Sequence, residues 1–190
     1  MVATVLLVGL LLVATFTDVA WHRISNWITY PGMLVALGLN LLGTGLLAAG
    51  VVDRRTLLSL GWVGFSESLF GLLACGFVLL VCYVLFKVGG GDVKLMAMLG
   101  AFLGPQRGTE ALLWTFVLGG CLGLIVLIWR VGPLRLAGRV LRQLLWTLRL
   151  GRWSPLAPEE RAQLQLPLFL APNALVAALI VEFALIDCLG

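Results

Sequence analysis

Two aspartates mark the places in this chain where chemistry is possible. Asp18 closes a long apolar run, and Asp92 follows Gly89-Gly90-Gly91 at the start of another. An ionisable group at the edge of such a run is expensive to keep, so a functional role is its first reading. Two carboxyls within hydrogen-bond reach of each other cannot both ionise easily; they share one proton and titrate as a unit. The ionised member can then take a proton from water while the protonated member polarises a carbonyl. The chemistry implied is hydrolysis of a peptide bond by activated water, with no metal, no cofactor and no covalent intermediate.

Structural readings of the same residues stand beside this one. Aspartate is a preferred helix N-cap, and Asp92 after a glycine run fits that role. Capping does not need three glycines, however. Gly89, Gly90 and Gly91 remove side chains where an extended peptide could approach the backbone. Asp18 can act as a polar stop paired with Arg23. Lys94 either biases the dyad electrostatically or snorkels to headgroups. Arg23 and Asn26 either orient Asp18 or the substrate, or sit on a solvated turn. His22 is the only histidine and has no metal-ligand company. Cys75, Cys82, Cys121 and Cys188 all fall in apolar runs without a CxxC pair, so buried free thiols are expected and no zinc site.

The elements that must position these residues follow from composition. The 190 residues are 61% hydrophobic and 12% charged, with mean hydropathy +1.08. Soluble domains carry about 25% charged residues, so the chain is a membrane protein. A span takes roughly 20 apolar residues, and the runs allow about six. They are expected at Val2 to Thr17, Trp27 to Ala49, Leu69 to Phe86, Val93 to Gly104, Ala111 to Trp129 and Leu168 to Ile186. The fold class is all-α: one membrane-embedded helical bundle over residues 1–190. Pro31 is expected near the start of the second span, where a missing N–H is tolerated. The first run lacks a basic n-region and is expected to stay as an anchor.

Lysines and arginines set the orientation. With alternating links, one side collects Arg23, Lys87, Lys94, Arg130, Arg135, Arg139, Arg142, Arg149, Arg152 and Arg161, and the other only Arg54, Arg55 and Arg107. The richer side is expected to be cytoplasmic, with both termini outside. Asp18 and Asp92 then fall at one depth, on the cytoplasmic face. Glu182 falls about 24 Å up the last span, near the outer interface, where snorkelling suffices. In the link from 131 to 165, Arg135, Arg139, Arg142, Trp146 and Arg149 share one helical face opposite a leucine-rich one. A basic amphipathic helix there, over about 131–152, is expected to lie on anionic headgroups at the cytoplasmic interface.

Asp18-x4-Arg23-Ile24-Ser25-Asn26 resembles the D-x4-R-I-P-N segment of the type IV prepilin peptidases. Gly89-x-Gly91-Asp92-x-Lys94-Leu95, followed by Gly100, Ala101 and Gly104, resembles their GxGDxKL region. The resemblance covers roughly residues 10 to 105 and returns near Pro167 and Pro172. It implies a GxGD-class aspartic protease of the bacterial inner membrane. Such enzymes remove the short basic leader of prepilins or pseudopilins at the cytoplasmic face. Asp18 and Asp92 match the catalytic pair. The partners implied are a prepilin or pseudopilin helix and lipid, not nucleic acid. A basic leader would be repelled by the arginine-rich helix.

Ser25 stands where the family has proline. The paired CxxC motifs of larger relatives that also methylate the new N-terminus are absent from these residues. The chain looks like the compact, peptidase-only branch similar to the enzymes of tight-adherence pilus systems, and N-methyltransferase activity is not expected. The alternatives are another GxGD intramembrane protease, of the signal-peptide-peptidase type, whose third motif Ala171-Pro172-Asn173 resembles only loosely, or a proton-coupled carrier using the same two aspartates. A carrier would show repeated halves or several polar groups at mid-membrane depth, and neither is visible. A purely structural assembly subunit is the remaining non-enzyme reading.

Overall fold

Long apolar runs rich in leucine, valine and alanine can satisfy their backbone polar groups in lipid only by hydrogen bonding within themselves, as helices do. The computed structural model describes residues 2–21, 25–86, 89–131 and 170–183, and all its regular elements are helices. In chain order they are α1 (Val2–Trp21), α2 (Asn26–Ala48), α3 (Arg54–Leu60), α4 (Phe65–Phe86), α5 (Gly90–Val131) and α6 (Leu170–Glu182). Arg23, Lys87, Cys188 and the basic amphipathic helix expected in the 131–165 link lie outside the described residues.

Among the described residues, four stretches are long and apolar enough to cross a membrane: Val2–Trp21, Asn26–Ala48, Arg54–Leu85 and Gly90–Trp129. These, rather than a count of six, are what length and composition establish. At 13 residues α6 rises about 20 Å, less than a ~30 Å hydrocarbon core. Large apolar side chains such as Phe16, Leu34, Phe70 and Val84 point outward, as expected where lipid rather than water is the solvent.

Two compact units emerge, one of residues 1–117 with 169–190 and one of residues 118–168. In the second, the described part is the end of α5. The first holds the aspartates, and its core centres on the beginning of α5, where every residue from Leu95 to Gly104 is buried. Leu7, Leu11 and Ala14 of α1 and Ala171, Ala174 and Ala178 of α6 belong to the same cluster.

Local sequence explains the main turns. Ser25 caps α2, its side chain accepting the Trp27 N–H. Pro31 is near the start of α2, as expected, but lies inside the helix, where it removes the donor that the Trp27 carbonyl would have received. Asn40 is buried on α2; its Oδ1 accepts from the Val63 and Gly64 amides at 3.0 and 3.3 Å, and its Nδ2 donates to the Ala36 carbonyl. One side chain thus holds the loop between α3 and α4.

Within α5 the backbone breaks at Gly104 (φ 78°, ψ 179°), with Pro105 next. A Cβ placed on Gly108 would stand 3.0 Å from the Gly100 Cα. In an unbroken helix those positions would be about 12 Å apart, so the chain folds back at Gly104 into two arms, 90–103 and 105–131. This agrees with the sequence reading that the fourth apolar stretch stops at Gly104. The first arm meets α4 backbone to backbone. A Cβ on Gly71 would overlap the Gly100 carbonyl oxygen, and one on Gly100 would overlap that of Gly71. Ser68 Oγ donates to the Ala101 carbonyl at 2.6 Å across the same contact.

Candidate active site

Leu7, Leu11, Ala14 and Asp18 are the buried residues of α1. Their spacing of four, three and four follows one helical face. Asp18 therefore extends the core stripe of α1 into its last turn, with 8% of its surface exposed. A carboxylate there needs hydrogen-bond donors. One is the Ala171 N–H, 3.3 Å from Asp18 Oδ2. It lies in the first turn of α6, where amides have no partner within the helix and the helix dipole favours negative charge. The first turn of a third helix is thus pointed at the first aspartate.

Asp92 is the third residue of α5, not its cap. Its N–H bonds the Gly89 carbonyl at 3.1 Å, and its carboxylate takes a hydrogen bond from the Gly89 backbone. An acid at this position reaching back to the cap residue is the arrangement of a capping box. Gly89 has a steric reason: a Cβ there would come within 3.0 Å of Asp92 Oδ2. Gly89 and Gly90 are exposed and Gly91 is partly buried. The charge of Asp18 acts on Asp92, so α1 and α5 bring the two carboxyl groups into electrostatic range of each other.

Lys94 and Asn26 meet each other rather than the carboxylates. Lys94 Nζ donates to Asn26 Oδ1 at 2.9 Å and sits 4.8 Å from the centre of the Tyr30 ring. The cation that sequence places two residues from Asp92 therefore ties the start of α5 to the start of α2. Tyr30 was not singled out by sequence, although its offset of four from Asn26 puts both on one face of a helix. The Ala171 amide was also not singled out. The signal for it was Pro172, since proline is favoured at the start of a helix, just where backbone amides are unpaired.

Cys75, Cys82 and Cys121 are free thiols, as expected, but only Cys75 is buried; Cys121 is exposed. Among the described residues no group of three or more His, Cys, Asp or Glu side chains could hold a metal ion.

The model of the type IV leader peptidase family matches residues 5–124, a stretch that includes both aspartates. The chain is 30% identical over 168 residues to the prepilin leader peptidase/N-methyltransferase of Aeromonas hydrophila, covering 80% of this chain and 51% of that protein. The same figures hold for the protein of that name from Aeromonas salmonicida (strain A449). The chain thus spans about half the length of the curated relatives it matches. No solved structure matches it. With 120 of its 190 residues (5 to 124) inside the family match, this chain belongs to the type IV leader peptidase family.

Proposed function

We propose that this chain is a membrane-embedded aspartic endopeptidase that removes the short basic leader of type IV prepilins or pseudopilins. The observation that carries the reading is the placement of Asp18 and Asp92. They come from different helices and lie in electrostatic range of each other, and Asp92 stands beside exposed glycine backbone. The family and the names of its relatives supply the substrate class.

The reaction follows from one proton shared by two carboxyls. The ionised member takes a proton from water as the water oxygen bonds to the scissile carbonyl carbon. The protonated member donates to the carbonyl oxygen. Collapse of the tetrahedral intermediate breaks the C–N bond, and the leaving nitrogen takes up a proton from the dyad. The Ala171 N–H donates to one oxygen of Asp18 and helps to orient the carboxyl group. Exposed Gly89 and Gly90 give an unwound leader backbone room to lie against the protein. The site belongs at the cytoplasmic face of the inner membrane, where the excess of lysine and arginine puts it. Only the peptidase activity in the relatives' double name is proposed.

The test is cleavage of a co-expressed type IV prepilin, read as a gel shift, with wild type, Asp18→Asn and Asp92→Asn at matched membrane levels. Both variants are expected to leave the prepilin uncut. Processing that survives either substitution removes the dyad mechanism.

A further inference from the structure

We propose that Glu182, held by Thr4 and Arg107, is a register pin that sets how far α6 reaches toward Asp18. The inference rests on the reading of Asp18 as catalytic. Glu182 closes α6 at the end opposite Ala171. Its Oε1 accepts from Thr4 Oγ1, near the start of α1, and its Oε2 lies 3.8 Å from Arg107 Nη1. The carboxylate is only 17% exposed, whereas Arg107 is 62% exposed. The sequence reading, a lone acid snorkelling to water, does not describe a group tied to two other elements. One tie is to α1 and the other to residues just past the Gly104 reversal.

α6 therefore runs antiparallel to α1 and is fastened to it at both ends, by Glu182 to Thr4 and by Ala171 to Asp18. Between the fastenings, the buried residues of α6 are Asn173, Ala174, Ala177, Ala178 and Val181, mostly alanine. Alanine faces allow helices to approach closely, but their ridges are low and resist sliding poorly. Axial position then falls to the polar groups, and Glu182 is the one at the end far from Ala171. The Ala171 hydrogen bond, at 3.3 Å, is near the limit of such a bond. A slide of one residue, about 1.5 Å, would break it. α6 is a rigid rod, so a pin at Glu182 governs its far end. Glu182 touches no reacting atom; it is a positioning residue.

The experiment uses the full chain in lipid nanodiscs, with wild type, Glu182→Ala, Thr4→Val and Glu182→Gln. Glutamine keeps the oxygen that accepts from Thr4. Amide hydrogen exchange at Ala171 reads the register directly, with the Ala178 amide as the internal control for folding of α6. Steady-state cleavage of a purified type IV prepilin reads the consequence. Glu182→Ala and Thr4→Val are expected to speed Ala171 exchange and to lower kcat by about tenfold each, the effect of losing one hydrogen bond, with KM and Ala178 exchange unchanged. The double variant is expected to match the worse single one, and Glu182→Gln to stay near wild type. Unchanged Ala171 exchange in both single variants overturns the pin, as does faster exchange without loss of kcat where wild type cleaves. If wild type does not cleave while Ala171 exchange responds, the pin stands and the proteolytic reading falls.

Discussion

Gly71→Ala tests the idea that α4 and the first arm of α5 are held in backbone contact. The added Cβ would overlap the Gly100 carbonyl oxygen, and would lie 2.7 Å from the Gly104 carbonyl carbon and 2.9 Å from that of Gly100. All three are backbone atoms and cannot swing away. Bringing 2.7 Å to an ordinary contact of 3.4 Å moves the helices apart by at least 0.7 Å (3.4 − 2.7), and relieving the overlap with the Gly100 oxygen takes more. Overpacking of this kind destabilises by roughly 1–3 kcal/mol. Separation also strains the Ser68 to Ala101 bond, at 2.6 Å, for about 1 kcal/mol more. The sum, about 2–4 kcal/mol, lowers the melting temperature by roughly 5–15 °C for a chain of this size. Gly38→Ala is the matched control, because a Cβ there meets nothing within 4 Å. It removes only a helical glycine and should stabilise by about 0.5–1 kcal/mol. The assay is thermal unfolding in detergent followed by tryptophan fluorescence. A Gly71→Ala protein that melts at or above wild type would refute the contact.

Three further outcomes are expected. Gly104→Ala should destabilise by about 1–3 kcal/mol in the same melt, because φ 78° with ψ 179° is a conformation essentially confined to glycine; the space around its Cβ is open, with nothing closer than 3.9 Å, so relief would have to come from the backbone. Asn40→Leu strands the Val63 and Gly64 amides and should lose about 2–3 kcal/mol, with faster hydrogen exchange confined to those two amides as its signature. Lys94→Met removes the ammonium from Asn26 and Tyr30, worth under about 1 kcal/mol at a half-exposed site. Prepilin cleavage by Lys94→Met should stay within a few-fold of wild type; a loss of about a hundredfold, the scale of an acid–base partner, would place Lys94 in the dyad after all.

Composition was enough to read a membrane-embedded helical protein, and the edge of an apolar run was enough to place the end of the fourth stretch at Gly104. Asp18 and Asp92 stood out because charge is rare in the chain and each sits at the edge of an apolar run. What could not be read were contacts between elements far apart in sequence. The Ala171 amide that meets Asp18 is a backbone group, and no residue type announces it. Lys94 was drawn toward Asp92 by proximity in sequence, yet an offset of two on a helix turns side chains some 200° apart. Its real neighbours, Asn26 and Tyr30, lie on another helix. Helix starts were uncertain by a residue or two, and that error moved Asp92 from cap to third residue. Glu182 looked isolated because Thr4 and Arg107 are distant in the chain.

The hydrogen bond from Ala171 to Asp18 joins residues 153 positions apart, and this separation acts as a clock. Ribosomes add about 5–20 residues per second, so roughly 8–30 s pass between synthesis of Asp18 and of its donor. Asp92 is made about halfway through that interval. A nascent chain therefore carries both aspartates before the helix that donates to the first of them exists. The Ala171 hydrogen bond can form only after α6 has been made and has docked. Truncated chains that stop short of α6 would contain both carboxyl groups and lack the Ala171 donor.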